Sequence, residues 1–245
     1  MKRIGITGQS GFIGTQLHRR VQQEPDWSSV PFEDSFFEDP AQLRRFVASC
    51  DVIVHLAAIN RHPDPQILHD TNIRLTTRLI EALEAENTRP FFIFSSSIQE
   101  NRNNLYGESK RRCRLLLQDW AERHRAPYTG LIIPNVFGPT APPHYNSFIA
   151  TFSAQLLRDE IPNVFEDRPV DLIYIDSLCR FITGLIHQEK SAAILKVPAD
   201  FNRTVSEILE TLISFYKTHV QQGNLPSLKD QNEANVFHTF QSYIK

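Results

Sequence analysis

The chain has little charge of either sign to spare. Its 26 Lys and Arg are set against 28 Asp and Glu, for a net charge of -2. A protein whose main partner is nucleic acid shows a clear basic excess, so that class is excluded. The pairs Arg19-Arg20 and Arg111-Arg112 read as solvated helix faces. Cysteine is scarce: three residues, Cys50, Cys113 and Cys179, in no short metal-ligand spacing. An odd, dispersed set argues against a disulfide framework and for a reducing compartment. No metal site is expected. No stretch approaches the roughly 18 apolar residues of a membrane span. The opening "MKRIGITG" is charged, then strand-like, and is interrupted by glycine, unlike a signal peptide. These absences lead us to expect a soluble cytoplasmic protein with no membrane partner.

Apolar residues make up 41% of the 245, enough for a sizeable core in one α/β unit. Strand-like and helix-like segments alternate through the first half. Residues 3–8, 27–33, 51–58, 89–97 and 128–138 read as strands, the last running into a loop. Residues 12–23, 40–49, 71–87 and 107–125 carry helical apolar spacing. "DVIVHLAA" (51–58) is almost continuously apolar, as a strand buried on both faces requires. This alternation predicts a doubly wound parallel sheet. The second half is less regular, with helices over 145–160, 177–189 and 204–219 and strands over 170–176 and 193–198. Thr204 and Glu207 have the capping-box spacing.

"GITGQSGFIG" places Gly8, Gly11 and Gly14 between the first strand and the first helix. In that context glycines allow a tight turn, close approach of a pyrophosphate and close helix–strand packing. The free N–H groups of the helix start then face phosphate. Gln9, Ser10, Phe12 and Ile13 complete this candidate dinucleotide loop.

"SSSIQENRNNLYGESK" (95–110) raises a second question, because Tyr106 and Lys110 are four residues apart and share a helix face. A tyrosine hydroxyl titrates near pH 10, and a neighbouring ammonium lowers that value by favouring phenolate. A serine at the end of the preceding strand can hydrogen-bond a substrate carbonyl. Together these groups suit hydride transfer: the cofactor does the redox chemistry, tyrosine moves the proton, serine orients the substrate.

The G-x-x-G-x-x-G spacing, with "DVIVHLAA", the serine cluster and the Tyr/Lys pair, resembles the short-chain dehydrogenase/reductase superfamily, in its extended, epimerase/dehydratase branch. The resemblance implies a Rossmann-type fold with a smaller C-terminal substrate-binding lobe. It spans one extended domain over 1–245, with about 1–135 binding dinucleotide and about 136–245 mostly substrate. It implies cofactor contacts at Leu56, Ala57, Ala58, Asn72, Tyr106 and Lys110, and at Pro134, Asn135 and Val136 of "PNVFGP". Ser97 is the implied working serine, with Ser96 as the fallback. "IYIDSL" (173–178) resembles a family segment that an arginine precedes; Val170 occupies that position here, and Arg168 is the nearest arginine.

"HLAAINR", the serine segment, "PHYNSFIATF" and the ending "LPSLKDQNEANVFHTFQSYI" are similar to the reductase domain of capsular and O-antigen polysaccharide enzymes of the UDP-N-acetyl-L-fucosamine pathway. This implies NADPH-dependent reduction of the 4-keto group of a UDP-2-acetamido-2,6-dideoxy-hexos-4-ulose. Asn60, Asn135, Asn146, Ser147, Ser96, Ser97 and Arg168 are then candidate substrate contacts; Arg61, His144 and Tyr145 stand near them in sequence. In that family a cupin epimerase domain follows. Here the sequence ends at Lys245, where such a domain would begin, so the expectation is either a truncated chain or a stand-alone reductase, with a separate or truncated cupin epimerase as a candidate partner; no cupin ligands are present, and no metal is expected. A homodimer through the helices at 71–87 and 107–125 is also expected.

Two other activities stay open. A 4-epimerase uses the same trio with tightly bound NAD, and a sensor module binds NADP without turnover. A 4,6-dehydratase needs acids directly after the serine, where Ile98 and Gln99 stand and Glu100 is out of place. Cofactor choice is divided. The resemblance implies NADPH, whereas Glu33 and Asp34 after the second strand, and the non-basic Gln9, favour NADH or NAD. Arg44 and Arg45 could compensate for a 2′-phosphate. His55 reads as a satisfied histidine at the sheet's end.

Overall fold

Parallel strands need long crossovers, and the chain supplies a helix after almost every strand. A computed structural model describes residues 1–244. The first half runs β1 (Lys2–Thr7), α1 (Phe12–Val21), β2 (Trp27–Val30), a 3-10 turn (Asp34–Glu38), α2 (Pro40–Ala48), β3 (Val52–His55) and α3 (Pro65–Ala85). It continues through β4 (Phe91–Ser97), a second 3-10 turn (Ile98–Asn101), α4 (Leu105–His124) and β5 (Tyr128–Ile133). The second half holds β6 (Asn135–Phe137), α5 (Phe148–Leu156), β7 (Pro169–Tyr174), α6 (Ile175–Gln188), β8 (Ala192–Lys196) and β9 (Phe201–Thr204). It closes with α7 (Val205–Phe215), a π-helical turn (Tyr216–Gln221) and α8 (Gln231–Gln241).

The chain folds as two compact units. One comprises Met1–Ile133 with Cys179–Val197. Its six-stranded sheet has the order β2-β1-β3-β4-β5-β8, parallel throughout, a doubly wound, Rossmann-like arrangement whose strand order reverses between β1 and β3. Every residue of β3 is buried, as are the first six of β4. This explains the unbroken apolar runs: helices cover both faces of the sheet, leaving no side for polar residues. Phe92, Phe94, Leu79, Leu83, Leu117 and Trp120 build the core between β4 and helices α3 and α4.

The strand register sets up one edge of this sheet. Thr7 pairs with His55, and His55 with Phe94, so the last three residues of β4 run past the end of β3. Ser95, Ser96 and Ser97 are those three residues.

The other unit comprises Pro134–Leu178 and the chain from Pro198 onward. A three-stranded sheet, β6-β7-β9, packs with α5, α7 and α8 around Phe137, Leu172, Leu212, Phe215 and Phe240. Among the described residues no helix is long and apolar enough to cross a membrane.

Several elements depart from the sequence pattern, each for a local reason. α3 begins at Pro65 instead of 71, because the Asp64 carboxylate accepts from Gln66 N–H and Pro65 supplies a ready first turn. α4 begins at Leu105, capped by Asn104 Oδ1 on Gly107 N–H at 2.8 Å. The strand read over 128–138 is two strands: it ends at Ile133, and beyond Pro134, which has no N–H to donate, β6 joins the other sheet. The helix read over 145–160 is only Phe148–Leu156, and that read over 204–219 stops at Phe215, where the backbone widens into the π turn. Its start is as read: Thr204 and Glu207 form both halves of the capping box. β9 and α8 had no clear signal, β9 because it is short and pairs antiparallel with β7 through long-range contacts.

Candidate active site

The turn after β1 is shaped by what a side chain would meet. Gly8 has φ +69°, and a Cβ there would lie 2.8 Å from the backbone N of Ala57. A Cβ on Gly14 would lie 2.1 Å from Gly8 O. The loop therefore packs against the chain leaving β3 with no room to spare. Gly11 is the N-cap of α1, with no side-chain cap and no acid in the first turn. That leaves backbone N–H groups and the positive end of the helix dipole for an anion. Phe12 and Ile13 are half-buried, and Ser10 is exposed. Gln9 Oε1 is buried without a hydrogen-bond partner, an acceptor available to a ligand donor.

Leu56, Ala57, Ala58 and Asn60 are half-buried along the segment after β3. Leu56 N–H donates to Thr7 O at 3.2 Å, and Ala57 N–H to Thr7 Oγ1 at 3.3 Å. Asn72 clamps the same segment from α3. Its Oδ1 accepts from Ile59 N–H at 2.7 Å, and its Nδ2 donates to Ile59 O at 3.0 Å and to Ser109 Oγ at 3.1 Å. Every hydrogen-bonding direction of this buried amide that reaches protein serves to hold the loop and α4 together.

Beneath them, His55 is buried between Thr7 Oγ1 at 2.7 Å and Thr76 Oγ1 at 3.3 Å. Burial, aided by the Lys110 charge, pushes its pKa down to about 3, so it is a neutral structural ring at physiological pH.

The serine cluster divides by strand alternation. Ser95 Oγ donates to His55 O at 3.1 Å. Ser96, on the opposite face, donates to the Glu100 carboxylate. That carboxylate is itself held by Arg114, at 2.9 and 3.1 Å from Nε and 2.8 Å from Nη2. Both side chains of this pair are almost fully buried. Ser97 is half-buried and its Oγ accepts from Gln99 N–H at 3.2 Å, which leaves its proton to give.

Tyr106 is half-buried in the first turn of α4. Lys110, one turn on, is buried, with Nζ 4.9 Å from the centre of the Phe94 ring. Desolvation lowers its pKa to about 8, partly opposed by Cys113 and Glu100. The ammonium is therefore still the main form at neutral pH, and it lies in a water-poor place where its field on a neighbour is strong. A Cβ on Gly107, between the two, would lie 2.0 Å from Gln99 O, so α4 packs hard against the turn that follows the serines.

The remaining sequence candidates lie in the other unit. Asn135 Nδ2 donates to Asp171 O at 3.2 Å, with Pro134 and Val136 beside it at the start of β6. Ser147 Oγ caps α5 on Ala150 N–H at 3.3 Å, and Asn146 is exposed. Arg168 Nε pairs with Glu166 at 3.2 Å. Two features escaped the sequence reading: the Glu100–Arg114 pair and the contact of Ser10 with Asp34. For the first a signal existed, since Arg114 follows Lys110 by four residues, on the same helix face.

This sheet order, glycine turn and serine–tyrosine–lysine set define an α/β fold of the dinucleotide-binding class. The chain belongs to the NAD dependent epimerase/dehydratase family, whose profile matches residues 4–197. It is 32% identical over 217 residues to a Pseudomonas aeruginosa UDP-2-acetamido-2,6-beta-L-arabino-hexul-4-ose reductase, covering 87% of this chain and 57% of that protein. The crystal structure of the capsular polysaccharide assembling protein CapF from Staphylococcus aureus is similar, with TM-score 0.82 and 27% identity, over 99% of this chain and 65% of that one. RMD from Pseudomonas aeruginosa, solved in complex with NADPH, shares the fold at TM-score 0.81 and 18% identity, over 99% of both chains. The chain thus spans somewhat over half the length of the reductase and about two thirds of CapF.

Proposed function

We propose that this chain is an NAD(P)H-dependent reductase of the 4-keto group of a nucleotide-linked deoxy sugar, such as a UDP-2-acetamido-2,6-dideoxy-hexos-4-ulose, in capsule or O-antigen biosynthesis. The observation that carries the reading is the buried Lys110 one turn after Tyr106, in a chain 32% identical to a reductase of that substrate class. The glycine turn fits a dinucleotide: Gly8 takes a positive φ, α1 opens with free N–H groups, and the Gln9 amide oxygen has no protein partner. Gly8 to Gly14 would hold the pyrophosphate, and Lys110 the ribose next to the nicotinamide. When bound, the reduced nicotinamide supplies hydride.

The protein's own part is proton movement and orientation. Tyr106 Oη gives a proton to the sugar oxygen as the alkoxide forms, and the Lys110 ammonium stabilises the phenolate left behind. Ser97 Oγ–H points the keto oxygen toward that proton. Ser97 suits this role better than Ser96, whose hydroxyl is committed to Glu100. The same bond, with the Arg114 clamp, ties up the one acid near the serine, so the 4,6-dehydratase reaction has no free acid here. Exposed Ile67 on α3 and Leu115 on α4 support a homodimer through those helices. We place the protein in a reducing compartment, the cytoplasm, in keeping with its three free, buried cysteines.

The test is oxidation of NADH or NADPH by 4-keto sugar nucleotides, followed at the nicotinamide absorbance, with Tyr106→Phe alongside. Turnover should need Tyr106, while Tyr106→Phe binds cofactor like the native chain. Protein that carries tight NAD and interconverts 4-epimers without consuming reduced cofactor would replace this reading by an epimerase.

A further inference from the structure

We propose that Glu100, clamped by Arg114, is a positioning residue of the active site: it fixes the turn that presents Ser97 and sets a buried negative charge facing Lys110. The inference rests on the reductase reading and deepens it.

Strand alternation brings the groups together. Side chains two apart on a strand share a face, about 7 Å from one another. On β4 this places Phe94 beside Ser96, on the face that packs against Leu117 and Trp120 of α4. Lys110 Nζ lies 4.9 Å from the centre of the Phe94 ring, and Ser96 Oγ donates to the Glu100 carboxylate. The lysine and the carboxylate therefore meet on one face of β4. Arg114, one turn beyond Lys110, closes the group with its bidentate bonds to Glu100. Gly130, paired with Phe94 across β5, leaves it room: a Cβ there would lie 2.9 Å from Arg114 Cδ. Ser96, Lys110, Arg114 and the Glu100 side chain are all buried.

The same bonds hold the turn that follows the serines. Glu100 belongs to the 3-10 turn Ile98–Asn101, directly after Ser97. Ser97 Oγ accepts from Gln99 N–H of that turn, and Gln99 O lies against Gly107 of α4. Tying Glu100 to Arg114 on one side and Ser96 on the other fixes the backbone on which the Ser97 hydroxyl rests.

The charge matters separately. The groups around Lys110 are His55 from β3, Glu100 from the turn, and Tyr106, Cys113 and Arg114 from its own helix. His55 is neutral at physiological pH, and burial pushes the Cys113 thiol up, so it is neutral too. Tyr106 is an uncharged phenol until it gives its proton. Glu100 is thus the negative charge of the group, whereas Arg114 is a second cation. Like charges one helical turn apart disfavour each other. Paired with Glu100, Arg114 anchors the carboxylate without discharging the lysine.

The experiment is titration of Lys110 by NMR in the full chain carrying lysine isotope-labelled at Cε, with Lys110→Met to assign the signal. Alongside it runs the pH profile of kcat/KM for NADPH-dependent reduction of a 4-keto sugar nucleotide. Native Lys110 should titrate at about 8. Glu100→Gln should lower that midpoint by at least about half a pH unit, and the alkaline limb of kcat/KM should move with it. Glu100→Leu with Arg114→Met, which leaves no buried charge unpaired, should fold stably and also titrate below the native value. Arg114→Lys keeps a cation against Glu100 and should hold the midpoint near native. A purely structural pair would cost stability and leave the midpoint in place; an unmoved midpoint in both Glu100 variants overturns the inference. A shifted NMR midpoint with an unmoved kinetic limb overturns it as well. A native chain that reduces no 4-keto sugar nucleotide removes the reductase reading, while the NMR midpoints still decide whether Glu100 holds the charge on Lys110.

Discussion

Asn72 holds both backbone polar groups of one residue: its side-chain amide accepts from the N–H of Ile59 and donates to the C=O of the same residue, at 2.7 and 3.0 Å. A third bond, to Ser109 Oγ, connects that residue to α4, whose Ser109 in turn donates to Tyr106 O at 2.8 Å. The loop after β3 and the helix carrying the tyrosine are thus positioned by one buried side chain. Asn72→Ala strands these groups, and a loss of about 2–3 kcal/mol is expected in urea unfolding. Cofactor affinity should fall as well, because Ala57 and Asn60 lose their anchor. An unchanged midpoint with native affinity would show the clamp to be dispensable.

Lys110 ties function to pH. Its ammonium titrates at about 8, so kcat/KM should decline as pH rises through that value. Lys110→Met should cut turnover at least about 100-fold, the scale of a lost acid–base partner. Stability should respond in the opposite sense. The folded pKa lies below the ordinary lysine value of 10.5, so the unfolded chain holds the proton more tightly. This contribution makes the native protein gain stability from about pH 8 to 10.5, and the methionine variant lacks that gain. Urea midpoints at pH 7 and pH 10 for both proteins check the sign.

The Glu100–Arg114 pair predicts a non-additive mutant cycle. Removing either partner leaves a buried charge alone, at about 3–5 kcal/mol. Glu100→Leu combined with Arg114→Met removes both charges and should recover most of that loss. Chemical denaturation of the two singles and the double measures the coupling. Additive losses would mean that the pair does not interact energetically.

His55 predicts an acid limb. Burial holds the folded pKa at about 3, against 6.5 for a free histidine. The unfolded chain therefore takes up a proton first, and stability present above pH 6.5 is lost as pH falls toward 3. His55→Gln should flatten this part of the stability curve, read as the melting temperature at stepped pH.

Much of this was legible in the chain itself. Wherever local pattern and global fold agree, the sequence suffices. The unbroken run around Val52–His55 signals a strand covered on both sides; the three spaced glycines signal the turn; Tyr106 and Lys110 share a face by helical period alone. The Asp64-Pro65 and Asn104 caps are also written there, and they start α3 and α4 ahead of the positions that apolar spacing alone marks. The split after Ile133 and the short β9 were not, because a three- or four-residue strand owes its existence to partners far along the chain.

What tertiary structure alone decided is which polar group spends its hydrogen bonds on protein and which keeps them for a ligand. Three consecutive serines look alike in sequence; alternation and the Glu100–Arg114 pair commit Ser96 and leave Ser97 a proton to give. Arg74 and Arg78 look in sequence like any other helix cations; in the fold Glu38 pairs with both. Residue type and period are local properties and can be read along the chain. Pairing depends on distances between segments, which exist only once the chain has folded.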